Sequence, residues 1–200
     1  IEIVDKYGID ELRYYLMKEV SHGSDGSISL KNLENCINSD LANNYGNLCQ
    51  RIFSFIKNNC GNKVRNNKTH SNSDKNLINE TKLLIKNLRD EMENQNLNTY
   101  IKSVINISFL TNKYINDEEP WKLKKTNINK MNNILHLSLE QIGKISILLN
   151  PIIPEKSSKV LDALSVKKEL RNLSFLDTGN LLDDEVNIED LEILFKKISQ

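Results

Sequence analysis

From residue 41 to 56 the apolar side chains Leu41, Tyr45, Leu48, Ile52, Phe55 and Ile56 recur at steps of four, three, four, three and one. At 100° per residue they fall within about a 100° arc, which predicts an amphipathic helix with one buried stripe. The polar triplet Asn38, Ser39, Asp40 predicts a break before it, with Asp40 capping the longer piece and Ser29 capping a shorter helix from Leu30. Earlier, Ile9, Leu12 and Leu16 predict a helix over 10–20 with Asp10 as its N-cap, and SHGSDGS at 21–27 reads as a turn.

Three further helices follow from the same spacing. Leu77, Leu84, Leu88 and Met92 line 75–94; Tyr100, Val104, Ile107, Leu110 and Tyr114 line 97–116; Ile128, Met131, Leu135, Ile142, Ile145 and Leu149 line 127–149. Pro151 and Pro154 end the last of these, and 155–164 reads as a shorter helix. The polar stretch 60–75 has no period and reads as a loop. Past Asp177 the chain predicts a loop-rich end with a short amphipathic piece in 188–198. The expectation is an all-α, up-and-down helical bundle behind a small N-terminal helical appendage.

Composition narrows the possibilities. Two hundred residues suit one generous domain or two small ones, and seven Gly with three Pro leave too few turns for a many-stranded sandwich or barrel. No apolar run approaches the roughly 20 residues of a membrane span, so no membrane partner is expected. The first residues are unlike a signal peptide and lack a starting Met, so the chain reads as a piece of something longer. Lys plus Arg and Asp plus Glu each total 27. Zero net charge argues against a general polyanion binder, which needs an excess of cations to replace phosphate counterions. The balance is uneven, however: from 177 to 200 seven acidic residues face two lysines, so the body is cationic and the tail anionic. Cys36, Cys49 and Cys60 form no C-x-x-C pair, and His22, His70 and His136 lie far apart in sequence. They read as reduced, buried or half-buried thiols of a cytosolic protein, and no metal site is expected. No phosphate loop or nucleophile elbow is present, so no catalytic residue is expected in this chain.

Two features carry candidate chemistry. Asn47 and Arg51 stand four apart at the margin of the apolar stripe, so they share a helix face. An amide offers a donor and an acceptor, and a guanidinium offers a planar fork that can pair with or stack on a base. The same spacing also fits a solvated Asn and a surface Arg. Trp121 is the single Trp, in the string Glu119-Pro120-Trp121-Lys122, with Lys124 and Lys125 close behind. Pro120 biases Glu119 toward an extended backbone. The Trp reads either as a stacking platform for an unpaired base or as a core anchor of the interhelix loop.

The string YGIDELRYYLMKEVSHGSDGSISLKNLENCINSDLANNYGNLCQRIFSFI, residues 7–56, resembles methionyl-tRNA synthetases just downstream of their catalytic signature loop. The pieces that carry the likeness are YG-D-LRY-L, the GSDGSIS turn, and NSDLANNYGNL-QR, with EPW at 119–121 in the matching later position. The resemblance implies a stem-contact-fold remnant over 1–29, the α-helical anticodon-binding domain of a class I aminoacyl-tRNA synthetase over 30–165, and a C-terminal extension over 166–200. It implies anticodon binding by Asn47, Arg51 and Trp121, with Asn43, Asn44, Lys122, Lys124, Lys125 and Lys130 as second-rank RNA contacts. The implied partners are a methionine-accepting tRNA and a catalytic domain of the same polypeptide, in the cytoplasm. ATP, Mg and Zn belong to that catalytic domain, whose signatures are not in this chain; no cofactor is expected here. The family's Pro-rich leu-phe-pro ending is replaced by Leu194-Phe195-Lys196-Lys197. A helical protein-interaction module, or the anticodon domain of another class I synthetase, remains the alternative.

Overall fold

Each helix body predicted between residues 10 and 164 is present in the computed structural model, which describes residues 2–19, 28–178 and 180–198. The turn expected at 21–27 and Gly179 lie outside the described residues. Helix α1 (Glu2–Tyr7) precedes α2 (Ile9–Glu19), one residue earlier than the expected start. Asp10 is therefore inside α2, and it caps a different helix. Its buried carboxylate accepts from the Lys156 amide at 2.8 Å, in the first turn of α9 (Pro154–Ala163). A buried carboxylate at a helix N-terminus satisfies an orphan amide and faces the positive end of the helix dipole.

The expected break at 38–40 does not occur. Helix α3 (Leu30–Cys36), capped by Ser29 as expected, runs into a π-helix (Ile37–Gly46) and then α4 (Asn47–Cys60) as one continuous rod. Asp40 is no cap. It is buried and accepts from Tyr14 Oη at 2.7 Å and Ser39 Oγ at 2.7 Å, with the Lys18 ammonium 2.8 Å away. The apolar stripe is largely as read, except that Phe55 is half-buried while Cys49 and Phe53 are buried.

Helices α5 (Asn72–Glu93) and α6 (Leu97–Glu118) pack as an antiparallel pair joined by a short turn, and α6 packs on α8 (Ile128–Leu149). Ser71 and Asp74 form a reciprocal capping box that starts α5. Between α6 and α8 lies α7 (Pro120–Leu123), entered through Glu119. Glu119 is left-handed (φ 44°, ψ 57°) rather than extended. It ends α6 as a C-cap, its amide donating to Ile115 O at 3.0 Å, and that reversal needs positive φ.

Helix α8 departs most from its amphipathic reading. Ile128 is exposed, whereas every residue from Ile134 to Leu149 is buried, polar ones included. The C-terminal segment covers the polar side. After a 3₁₀ turn (Lys168–Leu170) and α10 (Ser174–Thr178), the chain returns along α8. The Glu140 carboxylate accepts from the Leu181 and Leu182 amides at 2.6 and 2.9 Å, and His136 Nε2 bonds Asp183 O at 2.8 Å. Strand β2 (Glu185–Asn187) pairs antiparallel with β1 (Lys63–Arg65), which replaces part of the loop expected at 60–75.

The piece at 188–198 is not helical. Val186 and Ile188 are buried at period two, Leu194 is buried as well, and Phe195 docks on the rod with its ring 6.2 Å from that of Tyr45. At Gly46 an added Cβ would meet Leu41 O at 2.8 Å and the Phe195 ring at 3.0 Å, so glycine permits this close approach. No helix among the described residues is long and apolar enough to cross a membrane.

Candidate nucleic-acid interface

Arg51 projects from the second turn of α4 into the corner where α4, α6 and α7 meet. Its Nη2 donates to Asn116 Oδ1 at 2.8 Å and its Nη1 reaches Asn112 Oδ1 at 3.5 Å. The guanidinium carbon lies 5.6 Å from the centre of the Trp121 ring. An Arg over an aromatic face at such range contributes about 0.5–1 kcal/mol at an exposed site. These contacts hold the fork half-buried yet leave donors unused, since a guanidinium carries five N–H groups.

Trp121 is 41% exposed, so it is not the core anchor that its place after Pro120 also allowed. Burial of Pro120 and the left-handed Glu119 aim the short helix outward. The structure thus brings Arg51 and Trp121 into contact across seventy positions of sequence. Asn47 stands one turn before Arg51, exposed.

Asn44 differs from its expected role. Its side chain is buried, accepting from Ser108 Oγ at 2.9 Å and Asn112 Nδ2 at 2.9 Å. An amide enclosed in this way cannot reach a bound RNA. It orients Asn112, whose carbonyl oxygen then faces Arg51. Sequence reading missed Asn112 and Asn116; their spacing of four on a predicted helix was the available signal, but nothing in it pointed to Arg51. Asn43 is exposed and borders a separate cleft of about 850 Å³, beside Lys18, Cys36, Ser39 and Lys197.

Four exposed lysines surround the Trp121 corner, three of them engaged. Lys122 pairs with Glu119 at 2.8 Å, Lys130 with Glu118 at 2.8 Å, and Lys124 donates to Asn59 Oδ1 at 2.9 Å. Lys125 is exposed as well. Surface ion pairs of this kind contribute about 0–1 kcal/mol, so exchanging a carboxylate for a phosphate costs little.

The floor of the cleft beside Asn43 is chemically closed. Burial opposes the Lys18 charge, but its hydrogen bond to Asp40, with Cys36 and Glu19 alongside, holds its pKa above the ordinary lysine value. Burial pushes the Cys36 thiol up to about 12. Such a thiol stays protonated at neutral pH and is a poor nucleophile. Cys36, Cys49 and Cys60 are all free. Among the described residues no three His, Cys, Asp or Glu side chains converge to hold a metal ion.

Residues 64–200 match the family model described as the anticodon binding domain of methionyl tRNA ligase, and residues 1–53 match that of class I (M) tRNA synthetases. The chain is 37% identical to a methionine–tRNA ligase of Rickettsia typhi over 99% of its length and 40% of the relative's. It is 36% identical to the Brucella suis enzyme over 86% of its length and 34% of the relative's. Among solved structures, the apo methionyl-tRNA synthetase of Mycobacterium tuberculosis superposes with a TM-score of 0.92 at 26% identity, covering 100% of this chain and 40% of that one. The same enzyme bound by methionyl-adenylate gives 0.91 at 26% identity over 98% and 39%. The chain therefore spans about a third to two-fifths of the proteins it matches.

Proposed function

The chain belongs to the methionyl-tRNA ligase family as its anticodon-binding part, and from that premise we propose that Asn47, Arg51 and Trp121 read the anticodon of a methionine-accepting tRNA. The observation that carries this reading is the contact between the Arg51 fork and the half-open Trp121 ring. An unpaired base stacks on the open indole face while the spare Arg51 donors reach its edge, and the Asn47 amide, one turn earlier on the same helix, reaches a base edge of the same loop. RNA readers treat single-stranded loops in this manner, with aromatic platforms beside hydrogen-bonding groups. Lys122, Lys124, Lys125 and Lys130 contact the phosphate backbone, which positions the loop without specifying it. Asn43 contacts the loop's flank from its exposed position on the same rod.

The division of labour follows. The whole protein is a cytoplasmic enzyme that joins methionine to its tRNA at the expense of ATP, and the reaction belongs to a catalytic domain of the same polypeptide. ATP, Mg and Zn belong to that domain. No chemical step is assigned to the residues of this chain. Residues 1–29 are the end of the stem-contact fold, 30–165 the anticodon-binding helices, and 166–200 an extension that braces α8.

Electrophoretic shift with anticodon stem-loops tests the proposal. Tighter binding to a CAU loop than to loops with one altered base is the expected result. Equal binding to all loops, or none, favours a protein-interaction module. Preference for another anticodon points to a different class I synthetase.

A further inference from the structure

Arg51 and Trp121 occupy one level of the face between α4 and α6. Hydrogen bonds between the two elements define their alignment. Asn44 meets Ile105, Ser108 and Asn112, and Arg51 meets Asn112 and Asn116. Partner numbers rise together, so the rod and α6 run parallel, side by side. The α6 residue level with Asn47 is then close to Phe109. Phe109 precedes Asn112 by three and Asn116 by seven, which places it on their side of α6. It is 52% exposed. Phe109 lies about five residues before the midpoint of Asn112 and Asn116, a rise of about 7 Å, so this ring stands more than one turn from the Arg51 level. Asn47, at the same height on the opposite wall, is also exposed. The face thus repeats one arrangement twice: an open aromatic ring opposite a planar hydrogen-bonding group. Trp121 faces Arg51 at one level, and Phe109 stands across from Asn47 at the other.

We propose that Phe109 is a second stacking platform, which takes another unpaired base of the same RNA loop while Asn47 reads that base's edge. The inference rests on the reading that Trp121 stacks the first base. Two platforms more than one helical turn apart hold neighbouring bases splayed, and this favours a loop whose bases are already unstacked.

The test uses the full-length protein and a CAU stem-loop, intact or with an abasic nucleotide at each anticodon position in turn. Phe109→Ala is expected to weaken the intact loop about five- to a hundredfold, the loss of one base stack. Phe109→Leu, which keeps apolar bulk but has no π face, should behave like the alanine variant, and Phe109→Tyr like the parent. The Phe109→Ala penalty should vanish at one abasic position, and the Trp121→Ala penalty at a different one. Parent-like binding by Phe109→Leu, with Trp121→Ala still weakened, overturns the second platform and leaves the first. Penalties that vanish at the same position overturn it too. Parent-like binding by Trp121→Ala instead overturns the reading on which both rest.

Discussion

Asp40 and Arg51 stand on the same continuous rod, each at the centre of a polar cluster. Around Asp40, Tyr14, Ser39 and Lys18 crowd a buried carboxylate, and the cluster joins α2 to the π-helix. Around Arg51, Asn112 and Asn116 steady a half-buried fork beside an open Trp ring. The residue types are similar; the difference is unused capacity. At Asp40 the hydrogen bonds are spent within the protein, which stabilises one arrangement and leaves little to offer a ligand. At Arg51 enough contacts are made to fix the fork, and donors remain. We propose that this spare capacity is what makes the second cluster a reader of bases, and the following expectations probe that contrast.

The largest effect should come from Asp40→Ala. Removing one partner of a buried ion pair strands the other, and here about 3 kcal/mol of stability should disappear in chemical denaturation. Discrimination among anticodon loops should survive wherever the variant is folded. A large loss of discrimination without loss of stability would erase the contrast.

A smaller effect concerns Glu11, which is buried on α2 near Lys156. Burial, more than any neighbour, raises its pKa above the ordinary carboxylate value, and its Oε2 has no hydrogen-bond partner. The folded state therefore prefers the protonated acid. This contribution is complete below the unfolded pKa near 4.5 and is lost as pH rises through the raised folded value. Glu11→Gln should thus raise Tm slightly at pH 7, by less than about 1 kcal/mol in stability, and the gain should shrink toward pH 4. A gain independent of pH would remove the desolvation account.

The smallest effect belongs to the lysines. Lys125→Ala should weaken all tRNAs alike and reduce the slope of log affinity against log salt by about one. Any change in preference among loops would move Lys125 from positioning to reading.

The sequence made the helices legible wherever apolar residues recurred at 3.6, as in 41–56 and 97–116. It concealed features that depend on distant partners. Strand β1 pairs with a segment 120 residues later, at Arg65 and Glu185, and no local period announces that. The polar side of α8 reads as solvent-facing until the tail covers it through Glu140 and His136. The π-helix keeps its apolar side chains close enough to helical spacing to pass for an ordinary helix. Asp40 and Asn44 look like a cap and a surface amide because their polarity is visible and their burial is not. The family resemblance supplied Asn47, Arg51 and Trp121 as candidates. That Arg51 touches Trp121, by way of a left-handed Glu119 and a short α7, was beyond anything spacing could tell.

Loop discrimination by Trp121→Ala tests the central claim most directly. The ratio of affinities for a CAU stem-loop and a single-base variant should be measured in the full-length protein alongside the parent, with thermal melting as a control. The account predicts a loss of discrimination worth about 1–3 kcal/mol, with the variant still folded and its melting temperature lowered only modestly by the lost Arg51 contact and the covered part of the ring. A variant that discriminates as the parent does would contradict it.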